Sequence, residues 1–323
     1  MVLLCVILGI AMNLWTTSAN ERPIIGVLAK PMFEEYPDIE TKYTEVIEAK
    51  YVHFIEGGGG RVFPISYKWS ADKLRDVMKK INGVLFTGGA TELVIFDDHN
   101  VPVELTEYSK GARRILDIAI EMNKRKEYFP VWGTCLGFEQ LLILESDNVA
   151  LLGHCGNCSN YHAFLKYTTE GRENARLFDD FSAYQRKIME TQNLTYNNHV
   201  WMVDNRTFYS NPSLIEKYKI LAYSNWRNET TEYISAVEHK VFPFYGVQFH
   251  PEKWNYEVNP SQKVIKTRDS IMLGHGFSNF LVNECRKNGN AFSSYAEELR
   301  NIVEASANYY HPRYGYLYLM TKQ

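Results

Sequence analysis

Short unbroken apolar runs alternate with stretches of helical periodicity over the first half of the chain. Pro23 to Ala29, PIIGVLA, is the kind of run shown by a strand buried on both faces. Ile47, Tyr51, Phe54 and Ile55 follow at i, i+4, i+7 and i+8, the stripe of a helix that the glycines at 57–60 end. RVFPI (Arg61 to Ile65) reads as a second strand and Ala71 to Lys80 as a second helix. GVLFTGG (Gly83 to Gly89) is a third strand closing on paired glycines, and a helix near Glu107 to Lys124 leads to FPVWGTC. This alternation predicts βαβ crossovers, hence an α/β fold with a doubly wound, mostly parallel sheet flanked by helices. KILAYS (Lys219 to Ser224), YISAVEH (Tyr233 to His239) and FYGVQFH (Phe244 to His250) come in close succession and are expected to be antiparallel or mixed. An insertion spans Glu145 to Ile220, and a C-terminal extension from Ala291 ends in NYYHPRYGYLYLM. No repeat, low-complexity tract or linker divides the chain, so residues 20–323 read as one domain.

The 323 residues are ample for a buried core. A net charge of −3 and the absence of a Lys/Arg-rich run exclude a general electrostatic footprint for nucleic acid. An anionic substrate would therefore need a local basic pocket. Val2 to Trp15 is apolar and uncharged, and Thr17-Ser18-Ala19 supplies small residues, so residues 1–19 are expected to be a signal peptide cleaved after Ala19. No Lys or Arg precedes the apolar segment. No other stretch approaches the roughly 20 apolar residues of a membrane span. Sequons at Asn157, Asn193, Asn205 and Asn228 fit a glycosylated protein of the secretory route.

Cys135, Cys155, Cys158 and Cys285 remain after cleavage. They allow two disulfides or, with Cys135 free, one odd thiol among the other three. Cys155-x-x-Cys158 has no second C-x-x-C or His pair at zinc spacing, so a loop disulfide or two structural thiols is favoured and no metal is expected.

Gly133-Thr134-Cys135-Leu136-Gly137 falls where a strand ends and a helix begins. Such a nucleophile elbow exposes its central side chain, and side chains two residues away on either side would collide. The helix N-terminus then faces the sulfur. Alone, the pentapeptide fits a buried structural cysteine equally well. His250 ends a strand and is followed by Pro251-Glu252, whose carboxylate can hold the far imidazole nitrogen. A lone strand-end His is usually a surface or cap residue. Cys, His and Glu together, all at predicted strand ends, point to catalysis.

PVWGTCLGFEQL with YGVQFHPEK resembles the class I glutamine amidotransferase superfamily and its Cys-His-Glu triad. RPIIGVLAKP, YVHFIEGGGGRVFPI, INGVLFTGGA and NNHVWMVDNRTF, in that order, resemble its γ-glutamyl hydrolases over roughly Pro23 to Asn288. The resemblance implies Cys135 as nucleophile, His250 as base and Glu252 as orienting carboxylate. It implies that His199 lines the site and that the N–H groups of Gly89 and Leu136 form an oxyanion hole. On their own, Gly88-Gly89 would read as a plain turn and His199 as a surface residue. The implied activity is hydrolysis of folate and antifolate poly-γ-glutamates through a γ-glutamyl thioester, without metal or cofactor. A homodimer in the lysosome or outside the cell is also implied.

A His-paired thiol at a helix N-terminus can titrate at about 3–4, so a thiolate–imidazolium pair that survives acid is expected. Two alternatives stand beside this reading. One is another glutaminase or γ-glutamyl-amine hydrolase of the superfamily, although no synthase domain is seen that would take the ammonia. The other is a non-catalytic secreted binding glycoprotein, which would be expected to lose the nucleophile or the His-Pro-Glu.

Overall fold

The computed structural model describes residues 20–32, 39, 41–225 and 232–321. The expected signal peptide and Asn228 lie outside the described residues. In chain order the strands begin with β1 (Ile24–Leu28), β2 (Lys30–Pro31), β3 (Tyr43–Glu48), β4 (Arg61–Ile65) and β5 (Gly83–Phe86). They continue with β6 (Val94–Phe96), β7 (Pro102–Leu105), β8 (Val131–Thr134), β9 (Gly153–Ala163) and β10 (Lys166–Tyr167). The last are β11 (Thr195–Met202), β12 (Tyr218–Asn225), β13 (Glu232–His239), β14 (Phe244–Val247), β15 (Ala307–His311) and β16 (Gly315–Thr321).

Eight of these strands form the central sheet, in the order β10-β12-β13-β14-β8-β5-β1-β4. Neighbours from β4 through β14 pair in parallel, and β13, β12 and β10 continue the sheet antiparallel. The α/β expectation is borne out. FYGV belongs to the parallel part through β8, while KILAYS and YISAVEH form the antiparallel wing.

Four helices connect the parallel strands: α1 (Ala49–Gly57), α2 (Ala71–Met78), α3 (Glu107–Lys124) and α4 (Leu136–Ser146). Alternate residues of each strand serve opposite faces of the sheet. Ile24, Leu28, Val84 and Phe86 pack with Leu74, Ile115 and Leu141 of α2, α3 and α4. Ile25, Val27, Leu85 and Trp132 pack with Phe54 of α1 and with Phe277 and Leu281 of the helix Arg268–Arg286. Both faces are thus covered, and this explains the uninterrupted apolar runs. Ser70 and Thr106 cap α2 and α3 by accepting from the N–H groups of Lys73 and Ser109.

One boundary differs from the helical reading. Ile47 lies in β3, and α1 starts only at Ala49. The strand wins because β3 is paired on both edges, by β2 and by the distant β16. Local periodicity could not register partners nearly 270 residues away.

The insertion contributes β10 to the sheet edge and a separate antiparallel ladder of β9 with β11. That ladder carries His199, with register irregularities on both sides of it. Cys155 and Cys158 form a disulfide, leaving Cys135 and Cys285 as buried free thiols. Among the described residues, no helix is long and apolar enough to cross a membrane.

The C-terminal hairpin β15–β16 adds to β3 and β2 as a four-stranded sheet, with Leu317 and Leu319 buried against Val46. Leu317→Ala is expected to cost about 2–5 kcal/mol in urea unfolding. A cost within experimental noise would mean that the tail is only laid on the surface.

Candidate active site

Three adjacent parallel strands, β5, β8 and β14, end beside one another. Gly88-Gly89 follows the first, Cys135 the second and His250 the third. Carboxyl ends of parallel strands are where α/β sheets place ligands. The register of Phe86 with Gly133, and of Gly133 with Gly246, fixes how far each chain end projects.

Cys135 has φ 50° and ψ −106°, a positive φ that costs a non-glycine residue on the order of 1–3 kcal/mol. The surroundings hold it there. Its N–H donates to the Val247 carbonyl of β14 at 2.8 Å, and its carbonyl accepts from Glu139 N–H at 3.0 Å. The flanking glycines are a steric condition, but for two different reasons. A Cβ on Gly133 would sit 2.5 Å from the Gly137 carbonyl oxygen, the collision across the turn expected from the motif. A Cβ on Gly137 would instead sit 2.0 Å from the Phe86 carbonyl oxygen of β5. The second glycine serves the packing of α4 on the neighbouring strand.

His250 Nδ1 lies 2.8 Å from Glu252 Oε1. The Nδ1–H donates to the carboxylate, which leaves Nε2 as the nitrogen free to accept a proton. Gly88 gauges how closely this pair approaches the thiol. A Cβ placed on Gly88 would be 2.8 Å from His250 Cε1, 3.3 Å from Cys135 Cβ and 2.6 Å from the Tyr51 hydroxyl oxygen. Cys135, His250 and Tyr51 therefore converge on one side-chain-free position.

The charge states differ from the thiolate–imidazolium expectation. Burial pushes the Cys135 thiol well up, Glu139 and Glu252 add to it, and Lys253 and the Leu136 N–H aimed at the sulfur only partly oppose them. Burial, assisted by Lys253, pushes His250 below its ordinary value, and Glu252 draws it back only in part. Both shifts favour the uncharged forms, a thiol and an imidazole. The helix N-terminus is present, but it does not offset the dehydration of a cysteine that is 2% exposed.

A cavity of about 530 Å³ opens over the thiol, lined by Gly89, Cys135, Leu136, Glu139 and His199 with Phe96 stacked on Trp201. Burial raises the Glu139 carboxyl to about 8, while Gln248 Nε2 donates to it at 2.8 Å. Glu139 is therefore largely uncharged at neutral pH. His199 Nδ1–H donates to the Trp201 carbonyl at 2.7 Å, and burial lowers the imidazole to about 3. It stays neutral with Nε2, buried and without a partner, as an acceptor. Among the described residues, no Lys or Arg lines the cavity, and Glu92 does. Neutral donors such as Thr91, Asn100 and Asn198 line it instead. A second, more open groove of about 850 Å³ along the helix Arg268–Arg286 shares no residue with this cavity.

Cys155, Cys158 and His199 bring ligand-type atoms within 4.8 Å of one another. The disulfide joins the two sulfurs, however, and Trp201 occupies His199 Nδ1. In this state those atoms are engaged with one another rather than arranged to receive an ion.

The structure thus brings Cys135, Leu136, Gly89, His199, His250 and Glu252 to one place. Of the sequon asparagines, Asn193 and Asn205 are exposed, while the backbone of Asn157 is in β9, two residues before Ser159 of the cavity wall. Sequence reasoning missed Tyr51, which its periodicity assigned to the core, and Glu139, one helical turn after the nucleophile. That i+4 spacing on a helix starting at the thiol was the signal available. Iodoacetamide alkylation of Cys135 is expected to accelerate with pH to beyond pH 8.5, as a neutral thiol demands. A rate that is flat down to pH 5 would restore the ion pair.

The model of the family described as Peptidase C26 matches residues 23–252. The Gamma-glutamyl hydrolase of Mus musculus is 31% identical over 301 residues, covering 93% of this chain and 89% of that protein. Gamma-glutamyl hydrolase 1 of Arabidopsis thaliana is 31% identical over 288 residues, covering 88% and 77%. Gamma-glutamyl hydrolase B of Dictyostelium discoideum is 30% identical over 286 residues, covering 88% and 78%. A solved Trypanosoma brucei CTPS glutaminase domain with bound acivicin is similar in fold, with a TM-score of 0.52 and 15% identity over 82% of this chain and 94% of that one. The chain belongs to the peptidase C26 family of cysteine-type hydrolases, together with these γ-glutamyl hydrolases.

Proposed function

We propose that this chain hydrolyses γ-glutamyl bonds in folate and antifolate poly-γ-glutamates through a thioester on Cys135. One observation carries the reading: a buried thiol on a strand-to-helix turn and a His–Glu pair that both face the Gly88 position. The names of the relatives support the bond class. The Phe96–Trp201 stack in the cavity wall supports a flat aromatic substrate.

In this mechanism His250 Nε2 takes the thiol proton as sulfur attacks the γ-carbonyl. Because burial disfavours a free thiolate, the two events occur together. The N–H groups of Leu136 and Gly89 hold the oxyanion, each such donor contributing on the order of 3 kcal/mol. The imidazolium, stabilised by Glu252, then gives its proton to the leaving amine, which departs as glutamate or a shorter γ-linked chain. Water, deprotonated by His250, attacks the thioester, releasing the γ-carboxylate and restoring the thiol. His199 Nε2 accepts an N–H of the substrate. The neutral Glu139 carboxyl adds no charge of its own against an anionic chain. The chemistry needs no metal and no cofactor.

Residues 20–323 act in this reading as one catalytic domain, after removal of residues 1–19, in the lysosome or outside the cell and as a homodimer. N-glycans sit at Asn157, Asn193, Asn205 and Asn228. Exposure of Asn193 and Asn205 supports two of the four.

The direct test is chromatography of the products formed from a folate pentaglutamate. Release of glutamate or shorter γ-linked chains is expected, and turnover of free glutamine alone would favour a glutaminase. Cys135→Ala is expected to abolish hydrolysis with the fold retained, and normal turnover would remove the nucleophile. Glu252→Gln is expected to lower kcat/KM by about 10²–10⁴, as loss of an orienting carboxylate does elsewhere.

The pH dependence follows from the sign of the His250 shift. A base pushed below its ordinary value stays unprotonated further into acid. The acid limb of kcat/KM is therefore expected below the ordinary histidine value of about 6.5. A limb above it would contradict the buried neutral imidazole.

A further inference from the structure

Lys30 is a buried ammonium one residue beyond Ala29, in the strand β2 that continues from β1. Its Nζ donates to the Gly88 carbonyl at 3.0 Å and to Glu48 Oε1 at 2.6 Å. The Gly88 carbonyl belongs to the same peptide unit as the Gly89 N–H. In a trans peptide those two groups point in opposite directions. A cation on the oxygen side therefore fixes where the N–H points, away from Lys30. Gly88 itself faces His250 and Cys135, and Gly89 lines the Cys135 cavity. Gly89 also has φ +150°, and any Cβ there would lie 2.4 Å from Lys30 Nζ, so the peptide and the ammonium are in close packing.

We propose that Lys30 is a positioning residue for hydrolysis, which locks the Gly88–Gly89 peptide so that the Gly89 N–H faces the developing oxyanion. This rests on the reading in which Gly89 supplies an oxyanion donor. The ammonium does more than aim the group. Positive charge on the carbonyl oxygen draws electron density from the amide nitrogen and makes its N–H a stronger donor.

The rest of the charge cluster keeps Lys30 in place. Glu48 is the residue before α1, yet its side chain caps no helix N–H. Its second oxygen lies 2.5 Å from Lys50 Nζ, Lys50 reaches Glu257 Oε2 at 3.3 Å, and Lys253 lies 3.8 Å from that same oxygen. Burial alone would raise Glu48, but Lys30 and Lys50 outweigh it and hold the carboxyl far below its ordinary range. Lys253 directly follows Glu252. A continuous run of buried opposite charges therefore joins the Gly88–Gly89 peptide to the segment that carries His250 and Glu252. A buried ammonium without Glu48 would be untenable, so the pair acts as one unit.

The test uses the mature full-length chain with Lys30→Met and Lys30→Gln variants, the latter keeping a neutral donor. Steady-state kinetics on a γ-linked glutamate substrate are combined with two ligands. One is a γ-glutamyl aldehyde, whose adduct with Cys135 places an oxyanion in the hole. The other is an uncharged-centre analogue that cannot react.

Lys30→Met is expected to lower kcat about 10–100-fold, part of the loss seen when an oxyanion donor is removed outright, with KM changed less than about two-fold. The aldehyde is expected to bind correspondingly more weakly and the unreactive analogue as before, and Lys30→Gln to recover part of the loss. An unchanged kcat, or equal weakening of both ligands, overturns the proposal. Where Lys30→Met fails to fold by circular dichroism, Lys30→Gln decides on the same two ratios. If the aldehyde does not attach to Cys135 in the unaltered protein, the nucleophile reading itself has failed. If it attaches and the Lys30 variants behave as the unaltered protein, only the positioning role has.

Discussion

Everything at the site depends on how closely three parallel strand ends are pressed together around one strained cysteine. Gly137 backs onto the carbonyl of Phe86 with no room for a methyl group, and Cys135 N–H is tied to Val247 of the next strand. These two contacts link β5, β8 and β14 at the level where each chain leaves the sheet. The unfavourable backbone of Cys135 persists because both neighbours over-determine it. The same closeness brings the Gly88–Gly89 turn between Cys135 and His250.

Such packing buries the reacting groups, and burial governs their protonation. A sulfur excluded from water keeps its proton, and an imidazole excluded from water declines one. Both shifts favour the uncharged pair, and in the proposed mechanism charge develops only as the thiol attacks. The site then needs pre-aimed dipoles rather than a standing ion pair, which gives the orientation of backbone N–H groups its importance. In the proposed mechanism, function in acid would rest on a base that resists protonation rather than on a nucleophile already ionised. Lys30, Glu48, Lys50 and Glu257 are paired off beneath the site, so they shape it without lining the cavity.

The core of this arrangement was legible in the chain itself. The apolar runs at Pro23–Ala29 and Gly83–Gly89 marked strands buried on both faces, and the helical spans after Ser70 and Thr106 fall where their caps indicate. Cys135, His250 and Glu252 stood out because each combines a reactive group with turn residues at a strand end. Effects that depend on distant pairing were not legible. Ile47 has helical spacing with Tyr51, yet belongs to a strand whose partner lies in the tail. Lys30, Glu48 and Lys50 look like ordinary surface charges, and only the fold buries them together. The direction of the Cys135 shift was misjudged because a motif displays the helix dipole and the histidine but not the depth of burial. The lysines nearest the site, Lys30 and Lys50, pair with Glu48 and Glu257, which no local pattern displays.

In the proposed reaction Cys135 becomes covalently acylated during turnover. Acid quenching of the protein while it turns over a folate poly-γ-glutamate, followed by peptide mapping in a mass spectrometer, tests this most directly. The account predicts the acyl portion of the substrate on the peptide that contains Cys135, as a thioester released by hydroxylamine. Full turnover with that peptide unmodified at every quench time, or with the adduct on another residue, would contradict it.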